Sequence, residues 1–330
     1  MANDHETGFQ LLEKKDLNGR ELVILESITL LVLVGFVFWS VRPLLEEWGV
    51  LNAFNAQGFH YLRVFMPEII MRPLHLVPYA MEWIIGNGRP FGVPAGVAVL
   101  LLMRYFVARW AVSPFLRGYS RWVLATSAAV LVAWPGVWLG RFSSAQISAV
   151  FFFTALGFAA RLYGRWSLAW VIGCACSVLL LLMTYQGLAL CLFAIPFASL
   201  FWPRSGDTSG AKTLQKERIY GAGRIFFSVS IGFFVYAIYW VVMSQSSTQV
   251  GYEGALASDA SRLLSLAKLW SHIRLAYATA YGQEVSLLPF LTLIALFVYW
   301  NRAETAHVVD NFLVLVSLVL AGCAELFLKR

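Results

Sequence analysis

Apolar residues come in runs of roughly twenty along this chain, broken by short polar stretches. A bilayer crossing takes about 20 mostly apolar residues in helical form. The pattern predicts about nine such spans, at 22–41, 91–110, 122–139, 146–161, 167–184, 187–202, 225–244, 285–300 and 307–326. The expected fold is therefore all-α, a polytopic transmembrane helix bundle forming one domain over 22–326. A polar tail precedes it at 1–21 and a short end follows at 327–330. Two long segments interrupt the runs, 42–90 and 245–284, and both fall on the same side of the predicted bundle. The segment 203–224 is shorter, basic and on the other side. Trp39, Trp48, Trp110, Trp122, Trp138, Trp166, Trp202, Trp240 and Trp300 lie near span ends, where amphipathic rings sit at headgroup depth.

The segment 42–90 is too long for a turn and too apolar for free solution. Its stretch Leu74 to Ile85 reads LHLVPYAMEWII. Wound as a helix, it sets His75, Tyr79 and Glu82 on one face, with Leu74, Val77, Met81 and Ile84 or Ile85 on the other. That is a short amphipathic helix lying in the membrane plane. Pro73 suits its first turn, and Gly86-Asn87-Gly88 is a stop signal. The stretch 261–282 in the second long segment mixes Leu263, Leu264, Leu266 and Trp270 with Arg262, Lys268, His272 and Arg274. It reads as a basic amphipathic helix for an anionic interface.

Composition agrees with a membrane protein. Apolar residues make up 59% of the 330 and charged residues 13%, against about 25% charged in a soluble domain. This excludes an ordinary cytosolic enzyme, a disordered chain and a disulfide-stapled secreted domain. The net charge of +7 comes from basic residues between apolar runs, so positive-inside bias explains it and nucleic acid is not an expected partner. Placing the N-terminus in the cytoplasm puts the larger share of the 25 Lys and Arg on the inner side. The run at 22–41 leads into Arg42-Pro43-Leu44 and reads as an uncleaved anchor. Within spans, Glu26 and Arg104 are ionisable. Each either snorkels to the cytoplasmic interface or forms a buried functional pair. All four cysteines lie in apolar runs and read as buried, inert thiols. No phosphate loop, zinc-protease motif or nucleophile elbow occurs.

Arg72-Pro73-Leu74, Tyr79-Ala80, Gly86 and Pro90-Phe91-Gly92 lead into a Leu-rich span closing on Arg104 and Arg109. This arrangement resembles the stretch after the first span in the GT-C superfamily of polytopic membrane glycosyltransferases. Met183-Thr184-Tyr185-Gln186-Gly187-Leu188 resembles an outer turn of some of its members. The good match covers roughly 60–110, and a looser one runs to about 204. The resemblance implies a polyprenyl-phosphate sugar donor, a glycan, lipid or protein acceptor, and catalysis at the outer face of a bacterial inner (cytoplasmic) membrane. It also implies an acid in the first outer loop as base and basic residues for the donor phosphate. Family members often carry Asp in that loop, whereas this chain has none there and reads LNAFNAQGFH at 51–60.

The acids available in the loop are Glu46, Glu47, Glu68 and Glu82. Glu46 and Glu47 are the best substitutes by position, and their bland reading is solvation of the span end. Arg72 is the leading phosphate ligand, with a headgroup anchor as its alternative. His60 and His75 would help orient substrate, and Lys268 and Arg274 would help hold a lipid phosphate or glycan. No metal site or cofactor is expected, although a divalent metal bridging the donor phosphate is left open. Membrane lipid is the expected surrounding partner. The alternatives to a transferase are a non-catalytic membrane partner in envelope polysaccharide assembly, and a transporter or flippase of a lipid-linked substrate.

Overall fold

A computed structural model of the chain describes residues 19–41, 43, 45–65, 72–115, 121–126, 143–185, 188–200 and 211–246. Among the described residues every regular element is a helix. They are α1 (Gly19–Ser40), α2 (Leu45–Gln57), α3 (His60–Phe65), α4 (Val77–Gly86), α5 (Gly92–Val112), α6 (Ser143–Gly164), α7 (Leu168–Thr184), α8 (Ala189–Ser199) and α9 (Ala211–Ser246). A further helical turn covers 121–126.

Four of these helices are long and apolar enough to cross a membrane: α1, α5, α6 and the Lys216–Met243 part of α9. The apolar α7 is shorter, at 17 residues. Their outward faces are apolar as well. Leu31 is 72% exposed, Phe234 68% and Val242 57%, on surfaces that water would penalise and acyl chains would not. These helices make the chain a membrane protein. The predicted spans at 285–300 and 307–326, and most of 122–139, lie outside the described residues.

Two spans differ from expectation. In place of a crossing at 187–202, α8 has 11 residues, about 16 Å of helix, with Pro196 inside it. It is too short to span. The basic segment 203–224 is not all loop, because 211–224 continue without a break into the apolar part of α9. Ala, Lys, Leu, Gln, Glu and Arg dominate its first turns, and all favour helix. Gly221 is a weak helix former but packs where a Cβ would strike the Tyr163 ring.

Helix directions follow from which ends meet. Val37 of α1 and Val41 just after it pack with Val93, Val97 and Leu101 of α5. Glu26, near the start of α1, forms an ion pair with Arg109 near the end of α5 at 2.8 Å. The two helices are therefore antiparallel. By contrast, α5 and α6 run parallel: Arg104 meets Gln146 in the first turns of α6, and Trp110 meets Gly157 and Arg161 toward its end. Arg161 lies 3.9 Å from the centroid of the Trp110 ring and donates to the Trp110 carbonyl at 3.2 Å and to Ser113 Oγ at 3.1 Å. A cation there suits the carbonyl-rich end of α5. From the end of α6 the chain doubles back as α7.

Small residues let these helices approach. A Cβ on Gly157 would enter the Trp110 ring, on Gly173 the Phe158 ring, and on Gly232 the Ala175 carbonyl and Val178 side chain. With no water to expel between lipid-solvated helices, close backbone approach and van der Waals contact supply the association. Ala155, Ala159, Leu162, Cys174, Val178, Leu181, Leu192, Ile225 and Val229 form the resulting core of α6, α7, α8 and α9. Cys176 departs from expectation and is exposed, on the outward face of α7, while Cys174 and Cys191 are buried.

Candidate functional site

The segment after α1 folds back over one end of the bundle, where α5 and α6 begin and α7 ends. Its last helix, α4, starts at Val77, three residues later than expected. Pro78, not Pro73, takes the early helical position. Residues 73–76 instead form turns, with Leu74 N–H donating to the Met183 carbonyl at 3.0 Å. The stop holds as expected. Asn87 takes left-handed φ 47° and ψ 47°, Gly88 has φ 76°, and Gly88 N–H bonds the Trp83 carbonyl at 2.9 Å. Asn55 of α2 clasps this cap, donating to the Gly88 carbonyl and accepting from Trp83 Nε1, each at 2.9 Å. Phe54 stacks on Trp83 at 5.6 Å between ring centroids, and Phe59 meets its edge at 5.4 Å.

Tyr79 and Glu82 share one face of α4 as expected, whereas His75 lies in the turn before it. Tyr79 and Glu82 are buried, whereas Val77, Ile84 and Ile85 are exposed. A helix floating on an interface turns its polar face to water. This one turns its polar face into the bundle and its apolar face outward. That inversion is favourable where the outward surroundings are acyl chains.

Burial of the stripe needs polar partners, and the bundle supplies them. Ser143, the first residue of α6, donates its hydroxyl to Glu82 Oε1. The predicted span begins at 146, which puts Ser143 in a turn; the helix starts three residues earlier. Gly92 and Gly96, one turn apart on α5, form the notch that accepts α4. A Cβ on Gly92 would collide with the Glu82 carbonyl, and one on Gly96 with the Glu82 side chain. Glu47, in the first turn of α2, is 1% exposed and close enough for its charge to act on Glu82, itself 2% exposed. Burial above all, with Glu47 adding to it, pushes the Glu82 carboxyl up to about 8 against the opposing pull of the Ser143 hydroxyl. At neutral pH Glu82 therefore carries a proton. Ser143→Ala is expected to raise its pKa further, read as an upward shift of the carboxyl band in an infrared pH titration.

At the other end of α4, His75 Nδ1 donates to the Thr184 carbonyl at 3.4 Å. Burial, and then the Arg72 charge, hold His75 down to about 4, with the Thr184 bond opposing them. The imidazole is neutral through the physiological range. Arg72 lies beside it and is partly buried. The stretches Arg72-Pro73-Leu74 and Met183-Thr184-Tyr185 are thus in direct contact although more than a hundred residues apart.

Deeper along the α5–α6 seam, Arg104 does not snorkel. It is fully buried and donates from Nη1 to Gln146 Oε1 at 2.5 Å. Its Nε and Nη2 make no hydrogen bond among the described residues. Gln146 lies three residues beyond Ser143, so the two share a face of α6. The Cα–Cβ bond of Arg104 tilts toward the start of α5, which carries the guanidinium toward the α4 end. The pairs Glu82–Ser143 and Arg104–Gln146 thus lie in succession along α6, both buried.

Of the sequence-derived candidates, the structure gathers Glu47, Arg72 and His75 at this end. His60 opens α3 and is exposed. Glu46 lies in α2, with its side chain outside the described set. Glu68, Lys268 and Arg274 lie outside the described residues. Among the described residues no group of three or more His, Cys, Asp or Glu gathers to hold a metal ion. Glu82, Ser143, Asn55 and Gln146 are not among the sequence-derived site residues, and the structure brings them in. The Gly92-x-x-x-Gly96 spacing was a legible sign that another element packs there. No family model, curated protein or solved structure matches the chain.

Proposed function

We propose that the chain is an integral membrane glycosyltransferase-like protein. It would transfer a sugar from a polyprenyl-phosphate donor to a glycan, lipid or protein acceptor at the outer face of the membrane. The observation that carries this reading is the convergence, at one bundle end, of Arg72 with two buried carboxyl groups, Glu47 and Glu82. With the N-terminus in the cytoplasm, that end faces outward and the short apolar face of α4 lies at the depth of a lipid phosphate. Arg72 supplies charge and directional donors for the phosphate. Glu82 holds a proton, which leaves Glu47 as the candidate base for the proton of an acceptor hydroxyl. A second reading, a non-catalytic partner in envelope polysaccharide assembly, is favoured by the burial of both carboxyls, which suits an anchor for α4 as well as a base.

Envelope glycans of the native host distinguish the two readings. Glu47→Gln and Arg72→Ala, each at normal membrane levels, are expected to lose one sugar addition. The expected fall in rate is about 10²–10⁴-fold for the missing base. Unchanged glycans in both variants, where full deletion does change them, would leave the partner reading. An unchanged deletion would remove both.

A further inference from the structure

The helix α4 is a strap across the bundle end, held by a titratable side chain on a neutral partner at each end, the part-buried His75 just before it and the buried Glu82 near its close. His75 grips the last carbonyl of α7. Glu82 grips the first hydroxyl of α6 while lodged in the Gly92–Gly96 notch. Between them the outward face of the strap is exposed, while the Asn55 clasp and the Leu74 N–H bond to the Met183 carbonyl are further polar attachments. Among the described residues, the charge acting on Glu82 is Glu47 from α2 and that acting on His75 is Arg72 from the turn before α4, and the titratable Tyr79 ring lies 5.9 Å from that of His75. Facing residues from α6 and α7 are the neutral Ser143, Gln146 and Thr184.

We propose that α4 is a pH-gated strap, seated while His75 and Glu82 are both uncharged and released toward alkaline pH when Glu82 gives up its proton. This goes beyond the transferase reading and holds whether or not the chain is an enzyme.

The sign follows from proton counts. Glu82 seated holds its proton up to about 8, while a released carboxyl ionises at its ordinary 4.5. His75 seated stays neutral down to about 4, while a released imidazole protonates below its ordinary 6.5. Between about 4.5 and 6.5 the seated strap carries the Glu82 proton and the released strap carries the His75 proton. The counts are equal and seating does not depend on pH. From about 6.5 to 8 the seated strap holds one more proton, so seating weakens tenfold per pH unit, about thirtyfold across the interval. Below about 4.5 the released strap holds one more, and seating weakens about threefold by pH 4.

Hydrogen–deuterium exchange of the full chain in lipid nanodiscs, corrected for intrinsic amide rates, reads the opening equilibrium of α4. In the unaltered protein it is expected to be flat from pH 4.5 to 6.5 and to rise about thirtyfold by pH 8, with α7 amides unchanged. Glu82→Gln keeps an acceptor for Ser143 and loses the proton, so its opening should fall from 4.5 to 6.5 and stay flat above. His75→Gln should instead open progressively from 4.5 upward. A flat profile between 6.5 and 8 in the unaltered protein overturns the proposal, and that curve needs no variant to fold. So does a rise matched by α7, which would be global unfolding, or an alkaline rise that survives Glu82→Gln.

Discussion

Replacing Gln146 by Leu is expected to destabilise the bundle by about 3–5 kcal/mol. Arg104 is fully buried, and among the described residues its hydrogen bond goes to Gln146. Taking away that oxygen leaves a dry guanidinium with no acceptor among the described residues. The charge cannot be shed cheaply, since arginine stays protonated under ordinary conditions. Replacing both residues, Arg104→Met with Gln146→Leu, removes the charge together with its partner. The double variant is expected within about 1 kcal/mol of the unaltered protein, because well-packed apolar pairs often match or exceed buried polar ones. Reversible unfolding in mixed micelles gives all four corners of the cycle. A loss below about 1 kcal/mol for Gln146→Leu alone would mean that the guanidinium has another acceptor.

The second large effect is expected at Gly92. Its Cα lies where α4 crosses α5, and a Cβ would sit 2.9 Å from Gly86 Cα as well as striking the Glu82 carbonyl. Both obstacles are backbone, so no rotamer change relieves them. Gly92→Ala should cost about 1–3 kcal/mol by overpacking, and Gly92→Leu should keep α4 from seating. Gly96→Ala meets only the Glu82 side chain, which can shift, so its cost should be smaller and should fall on the Ser143 hydrogen bond. Gly49→Ala is the control. It lies within α2 with open space around it and should stabilise by about 0.5–1 kcal/mol, the ordinary helix gain over glycine. Unfolding midpoints together with α4 exchange rates rank the four. A Gly92→Leu protein with the unaltered α4 exchange rate would show that the notch does not hold the strap.

Much of the helical layout was legible without coordinates, because lipid imposes a local rule. Every backbone polar group in the bilayer must be satisfied within its own segment, so long apolar runs become helices whatever surrounds them. That rule located α1, α5, α6 and α7 nearly to their ends. The 3.6-residue period likewise placed Tyr79 and Glu82 on one face of α4, although His75 falls in the turn before it, and Gly86-Asn87-Gly88 marked its stop because the left-handed turn there favours such residues.

What the tertiary structure alone decided is where polar groups go when water is absent. Periodicity says that a stripe exists but not whether it faces water or protein, since that depends on what lies outside the opposite face. Snorkelling and burial are equally available to an Arg such as Arg104 until a partner like Gln146 stands within reach, and that partner comes from a helix 42 residues away in sequence. Glu82 stood out poorly beside Glu46 and Glu47 because its significance lies in Ser143 and Glu47, which reach it from α6 and α2. A local pattern determines a helix and its faces. Desolvation, and with it the protonation state of a carboxyl or imidazole, depends on everything packed around the group, and that is a property of the assembled fold.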